Sequence, residues 1–146
     1  MTKEELQQEI VRLEQQLRQK QEEENQFDEK YDALVAFATQ CESHAESFNA
    51  SVNRRRRKLG LINGLLQTVK AAAGYQKRMS SALNGEAFQS TKASVDELIR
   101  QVNKQKTETK EQSQDCARQI DRLRELIRQK KQELQTVAQE EAAANG

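Results

Sequence analysis

The stretch Ser-Ser-Ala-Leu-Asn-Gly-Glu at residues 80–86 decides the predicted fold, because the turn-forming residues of the chain are concentrated there. Asn84 and Gly85 favour a chain reversal, and Glu86 is an acidic residue placed where it favours a new helix N-terminus. We therefore expect a tight turn at 83–85 that joins two helical arms.

A heptad repeat of apolar residues precedes this turn in the sequence. Alternating steps of four and three residues from Leu6 to Ala73 meet an apolar side chain at 17 of 20 positions, although only 35% of the chain is hydrophobic. Such a stripe is what helices bury along a coiled-coil seam. The absence of proline and the 32% charged content fit long solvated helices. The first arm is predicted to be helical over about residues 3–82.

Glycines weaken this arm around residues 60–64. Gly60 and Gly64 each cost about 1 kcal/mol relative to alanine in a helix interior. Because Leu59 and Ile62 keep the heptad there, the pattern favours a kink near 60–64. A true turn at 63–64 stays open as the alternative.

The second arm is predicted over about residues 86–140, followed by a frayed tail at 141–146. Its apolar seam positions include Leu98. Two successive steps of four residues between Gln112 and Ile120 predict a stutter in the heptad repeat. The predicted fold is all-α, a single domain over residues 1–146 that forms a long antiparallel two-helix hairpin, like a coiled coil.

A turn at 83–85 fixes which residues of the two arms face each other, with paired residue numbers adding to about 168. Basic residues of the first arm then lie opposite acidic residues of the second. We expect a polar layer there that fixes the register, formed by Arg54, Arg55, Glu108, Glu111 and Asp115.

The same register leaves about residues 3–26 projecting beyond the second arm. Four apolar seam residues in this overhang need another chain to cover them, and they are predicted to bind a partner: Leu6, Ile10, Leu13 and Leu17. Phe37, one residue before the seam position Ala38, widens the apolar face and is a further candidate contact for a second chain.

No pattern for catalysis, metal binding or a cofactor is present. Cys41 and Cys116 fall on seam positions and are expected to be buried thiols, and His44 is expected on a helix surface. Without a Gly-rich phosphate loop or a nucleophile motif, we expect no enzyme activity and no cofactor.

The basic run at residues 54–58 has no interleaved aromatic residue for base stacking, so it favours a polar layer or an acidic partner over specific nucleic-acid binding. Without an apolar run of 18 residues or a signal peptide, we expect a cytoplasmic protein with no membrane insertion.

The spacing around residues 75–88 resembles the WXG100 (ESX) superfamily of type VII secretion, with Leu83-Asn84-Gly85 in place of the family's Trp-x-Gly turn. The longer arms are similar to the small helical proteins encoded beside LXG-domain toxins. This resemblance implies a targeting subunit that binds the toxin's helical N-terminal domain. In some cases it implies a second small helical protein as a further partner, and co-secretion with the partner. It also implies that Leu83 and Gly85 contribute to partner recognition.

The chain departs from that family in two respects. Leu83 replaces the Trp, and no Tyr follows Tyr75, so the family's export signal is absent in its usual form. The alternative function is a self-associating coiled-coil scaffold or a prefoldin-like holding chaperone.

Overall fold

The computed structural model describes residues 1–63 and 70–145, and the side chains of 1–62 and 73–145. Three helices account for nearly all of the described chain: α1 (Lys3–Asn63), α2 (Lys70–Asn84) and α3 (Glu86–Asn145). The predicted all-α helical hairpin is confirmed. The last helix continues through Asn145, beyond the predicted end of the second arm near residue 140.

A capping box starts α1. The Thr2 amide donates to Glu5 Oε2 at 2.9 Å, and the Glu5 amide donates to Thr2 Oγ1 at 3.2 Å. These two bonds satisfy amides that have no partner within the helix, and the Glu5 carboxylate also suits the positive end of the helix dipole.

Ion pairs on the surface of α3 support its helical conformation. In two of them an acidic residue precedes an arginine by three positions: Glu97–Arg100 at 2.6 Å and Glu125–Arg128 at 2.5 Å. Exposed pairs of this kind are screened by solvent and contribute little, so they support the helix without deciding the fold.

The chain divides into two compact units. The first comprises Met1–Asp32 and Lys106–Gly146, and the second comprises Ala33–Gln105. Each contains a segment of α1 that runs antiparallel to the other arm. In the first unit, Glu14 Oε1 lies 3.2 Å from Lys131 Nζ.

Contacts in both units show that the predicted register is wrong. Asp28 faces Ser113 in the first unit, and Phe48 faces Phe88 in the second. Facing residue numbers therefore add to about 140, well short of 168. Gly60 is helical, while the predicted kink near 60–64 and the alternative turn at 63–64 both include Gly64, which lies outside the described residues.

Residues 83–85 form a bend of about 30° between α2 and α3, so the predicted turn there is wrong. Asn84 ends one helix and Glu86 starts the next, as the sequence indicates. These signals mark a helix boundary but do not set the angle across it. Leu83 is buried at this boundary, and Arg56 of α1 contacts its carbonyl.

The seam of α3 has no stutter. Buried or half-buried side chains recur in alternating steps of three and four: Val95, Ile99, Val102, Lys106, Thr109, Ser113, Cys116 and Ile120. Leu98, predicted to be a seam residue, is 43% exposed, and its neighbour Ile99 is half-buried instead. Because Lys106 and Ser113 are polar, their seam positions carry no apolar signal in the sequence.

Candidate functional site

The N-terminal apolar residues of α1 lie in the core of the first unit. Leu6, Ile10 and Leu13 are only 1%, 7% and 4% exposed, and Leu17 is half-buried. Leu6 lines a shallow depression together with Val137 of α3. The predicted overhang is therefore wrong, because the second arm reaches far enough to cover these side chains.

The predicted polar layer is also wrong. Arg54 and Arg55 are exposed, as are Glu108 and Glu111. Asp115 forms an ion pair with Arg118 one turn further along its own helix. In the actual register, this part of α1 faces residues 83–88, which offer no acidic partner except Glu86.

Arg56 is the residue of the basic run that contacts the second arm. Its Nη2 donates to the Leu83 carbonyl at 3.5 Å and to Asn84 Oδ1 at 3.3 Å. Carbonyls at a helix C-terminus lack partners within the helix and carry partial negative charge, so a guanidinium there is favourable. Arg56 thus caps the end of α2.

Aromatic packing holds the other side of the bend. The rings of Phe48 and Phe88 are stacked with centroids 5.7 Å apart, and the Arg56 guanidinium carbon lies 5.6 Å from the Phe88 centroid. Val52 and Leu83 are buried beside them, 7% and 4% exposed. These five residues form the bend cluster, which joins α1 to both α2 and α3.

Gly85 is required by close approach at the bend. A Cβ added there would lie 2.4 Å from the Ser81 carbonyl oxygen, so the backbone would have to shift. Leu83 and Gly85 therefore serve the bend within an arm, and their predicted position at the end of the hairpin is wrong.

An exposed apolar strip lies along one side of the second unit. Phe37 and Leu98 are 44% and 43% exposed, and each immediately precedes a seam residue, Ala38 and Ile99. Positions that precede the seam on two antiparallel helices lie on the same side of the pair. Leu98 also borders a shallow depression on α3 lined by Ser90, Ala93, Ser94, Glu97 and Gln101.

Phe37 was predicted as a partner contact, whereas Leu98 was not. Leu98 was missed because it stands next to a second apolar residue, Ile99. Hydrophobicity alone does not show which of the two faces the seam. Lys106 and Ser113 occupy seam positions but are polar. The apolar pattern therefore does not show the uninterrupted heptad that would have assigned Ile99 to the core.

The seam of the first unit contains two small side chains with weak or missing polar partners. Thr109 is fully buried, and its hydroxyl has no hydrogen-bond partner among the residues that the structure describes. Cys116 is 5% exposed, with its Sγ 3.9 Å from Glu23 Oε2. Burial, followed by the nearby Glu23 carboxylate, raises the pKa of the Cys116 thiol. Both Cys116 and Cys41 are free thiols.

The remaining chemistry-bearing residues do not converge. His44 is exposed, and within residues 1–63 and 70–145 no three His, Cys, Asp or Glu side chains are placed to hold a metal ion. None of the described helices combines the length and the apolar character needed to cross a membrane.

No protein-family model matches the chain, and neither the curated proteins nor the solved structures include one with significant similarity to it.

Proposed function

We propose that this chain is a non-catalytic binding subunit that packs a helix of a partner protein against the strip formed by Phe37 and Leu98. The observation that carries the proposal is their exposure directly beside core positions. A third helix laid along this side would bury both side chains and extend the seam from two helices to three. Burial of two such side chains is worth about 1–2 kcal/mol each, given that both are already partly covered.

The finer proposal is that the partner is the helical N-terminal domain of an LXG-type toxin destined for type VII secretion. It rests on the resemblance around residues 75–88 and on the long helical arms. The position of Leu83-Asn84-Gly85 at a bend removes one feature of that resemblance, since the family has its Trp-x-Gly at the hairpin turn. The pairing of helix with helix remains the chemical basis for recognition.

Co-purification with the helical domains encoded beside this chain tests the proposal. Phe37→Ser combined with Leu98→Ser should abolish a complex formed by the unaltered chain. Val35→Ser is the matched control, because Val35 is 37% exposed but follows the seam residue Leu34 and so lies on the opposite side.

Three results would separate the alternatives. Retention of the complex by the Phe37/Leu98 variant would contradict the binding surface. Failure of the unaltered chain to bind any helical neighbour would contradict the toxin partner. Suppression of aggregation of unrelated unfolded proteins would support a prefoldin-like chaperone.

A further inference from the structure

One side of the second unit carries exposed basic and apolar side chains together. On α1, Lys58 immediately precedes the half-buried seam residue Leu59. On α2, Tyr75 immediately precedes the half-buried residue Gln76. Because the two helices run antiparallel within this unit, positions that precede the seam lie on the same side of the pair.

Helical neighbours extend this side. Leu61 follows Lys58 by three residues, and Arg54 precedes it by four, so all three share one face of α1. On α2, Arg78 follows Tyr75 by three residues and shares its face in the same way. Facing residue numbers in this unit add to about 140, so Leu61 and Tyr75 lie within about one helical turn of each other along the pair.

All five side chains are open to solvent. Leu61 is 77% exposed and Tyr75 is 43% exposed, and the three basic residues are exposed as well. We name this set the Leu61 patch: Arg54, Lys58, Leu61, Tyr75 and Arg78. It lies entirely within the second unit.

The patch belongs to a segment of uncompensated positive charge. Residues 47–85 contain eight basic residues and no acidic one. Arg54, Lys58 and Arg78 have no ion-pair partner among the residues that the structure describes. Positive side chains without local partners repel each other and attract a ligand of negative charge.

The exposed leucine distinguishes between anionic ligands. A nucleic acid would neutralise the basic residues, but Leu61 would then lie against phosphates and gain nothing from the contact. A bilayer that contains anionic lipids presents negative headgroups above hydrocarbon, so it accepts basic and aliphatic side chains at the same time. Tyr75 fits the same surface, because tyrosine is enriched at the level of the headgroups.

We propose that the Leu61 patch binds peripherally to the surface of an anionic lipid bilayer. Arg54, Lys58 and Arg78 contact the headgroups. Leu61 reaches the boundary between headgroups and acyl chains, with the Tyr75 ring beside it. The patch shares no residue with the strip formed by Phe37 and Leu98, so this binding does not depend on the proposed function.

Sedimentation of the purified chain with vesicles of equal parts phosphatidylserine and phosphatidylcholine tests the proposal. We expect binding at low ionic strength that weakens as salt is added, and no binding to vesicles of phosphatidylcholine alone. Each Lys or Arg near an anionic surface strengthens binding about fivefold. Lys58→Glu with Arg78→Glu should therefore weaken binding at least about twentyfold.

Lys92→Glu with Lys104→Glu is the matched control for charge. Both lysines are exposed on α3 in the second unit, and the net charge changes equally. This control should keep most of the binding, and circular dichroism should show unchanged helicity in all variants.

A fluorescent reporter tests whether Leu61 itself enters the bilayer. The chain contains no Trp, so Leu61→Trp introduces a single indole. Its emission should shift to shorter wavelength when the phosphatidylserine vesicles are added, and lipids with brominated acyl chains should quench it. Val11→Trp is the matched control, because Val11 is 53% exposed but lies in the first unit, and its emission should not shift.

Three results would overturn the proposal. The first is failure to bind the phosphatidylserine vesicles at low ionic strength. The second is binding without a shift in the emission of the Leu61→Trp variant, which would leave only a charge contact. The third is binding of a double-stranded oligonucleotide instead of the vesicles, lost on Lys58→Glu with Arg78→Glu, which would identify a nucleic acid as the occupant.

Discussion

Phe48 of α1 and Phe88 of α3 stack with their ring centroids 5.7 Å apart, and their planes lie 25° from parallel. The pair fixes the register of the second unit, because it forms only when residue numbers across the two arms add to about 140. It also places the start of α3, directly after the bend, against α1. The bend cluster is therefore the point at which all three helices meet.

Loss of the Phe88 ring should destabilise the second unit. Phe88→Ala is expected to lower the free energy of unfolding by about 2 kcal/mol, less than for a fully buried phenylalanine because Phe88 is half-buried. Urea denaturation followed by circular dichroism measures this change. A double-mutant cycle of Phe88→Leu with Arg56→Met should give a coupling of about 0.5–1 kcal/mol. A coupling of zero would show that the cation–π contact between Arg56 and Phe88 does not contribute to stability.

Replacement of Leu13 by aspartate should unfold the N-terminal part of the hairpin. Leu13 is 4% exposed, so the substitution removes a buried side chain and introduces a charge into the seam. The milder Leu13→Ala should cost about 2–4 kcal/mol. Val11→Asp is the control, because Val11 is 53% exposed. Equal helicity in Leu13→Asp and in the unaltered chain would indicate that Leu13 lies in an uncovered overhang after all.

Thr109→Val should stabilise the chain. The valine has nearly the same shape, and it removes a buried hydroxyl that has no hydrogen-bond partner. We expect a gain of about 1 kcal/mol in the free energy of unfolding, measured by urea denaturation. Thr109→Ala should instead be destabilising, because it leaves a cavity. A loss of stability in the valine variant would mean that the hydroxyl does have a partner.

The Cys116 thiol should react slowly in the folded chain. Burial raises its pKa, so less thiolate is present at a given pH than in the unfolded chain. A raised pKa favours the protonated form on folding. Its contribution to stability is therefore complete below the thiol pKa of the unfolded chain and is lost as the pH rises through the folded value.

Alkylation by iodoacetamide in a Cys41→Ser background measures this effect. The pH at which the rate reaches half of its maximum should be higher for the native protein than for the same protein in urea. Identical pH profiles in the two states would contradict the burial of Cys116.

The sequence predicted the helices well because their signals are local. The heptad, the absence of proline and the acidic residue at Glu86 each act within a few residues of the feature they predict. The bend at 83–85 was also located correctly as a helix boundary, although not as a reversal.

The register could not be predicted from the same signals. Turn residues contribute about 1 kcal/mol each, whereas leaving Leu6, Ile10 and Leu13 uncovered would cost about 1.5–3 kcal/mol apiece. Burial of these distant residues therefore outweighs the turn propensity at Asn84 and Gly85. Because the seam also includes polar residues such as Lys106, the apolar pattern of α3 alone fits more than one alignment.

The register is the central claim, since it decides which side chains are buried and which remain for partners. It is tested most directly by double electron–electron resonance between spin labels at Asp28→Cys and Ser113→Cys, in a Cys41→Ser/Cys116→Ser background. Asp28 Oδ1 lies 2.5 Å from Ser113 Oγ, and both residues are at the surface of the pair. We predict a label separation below about 20 Å. A shift of 27 residues at about 1.5 Å per residue gives a separation near 40 Å. That result would mean that the chain reverses at 83–85 and would contradict the register.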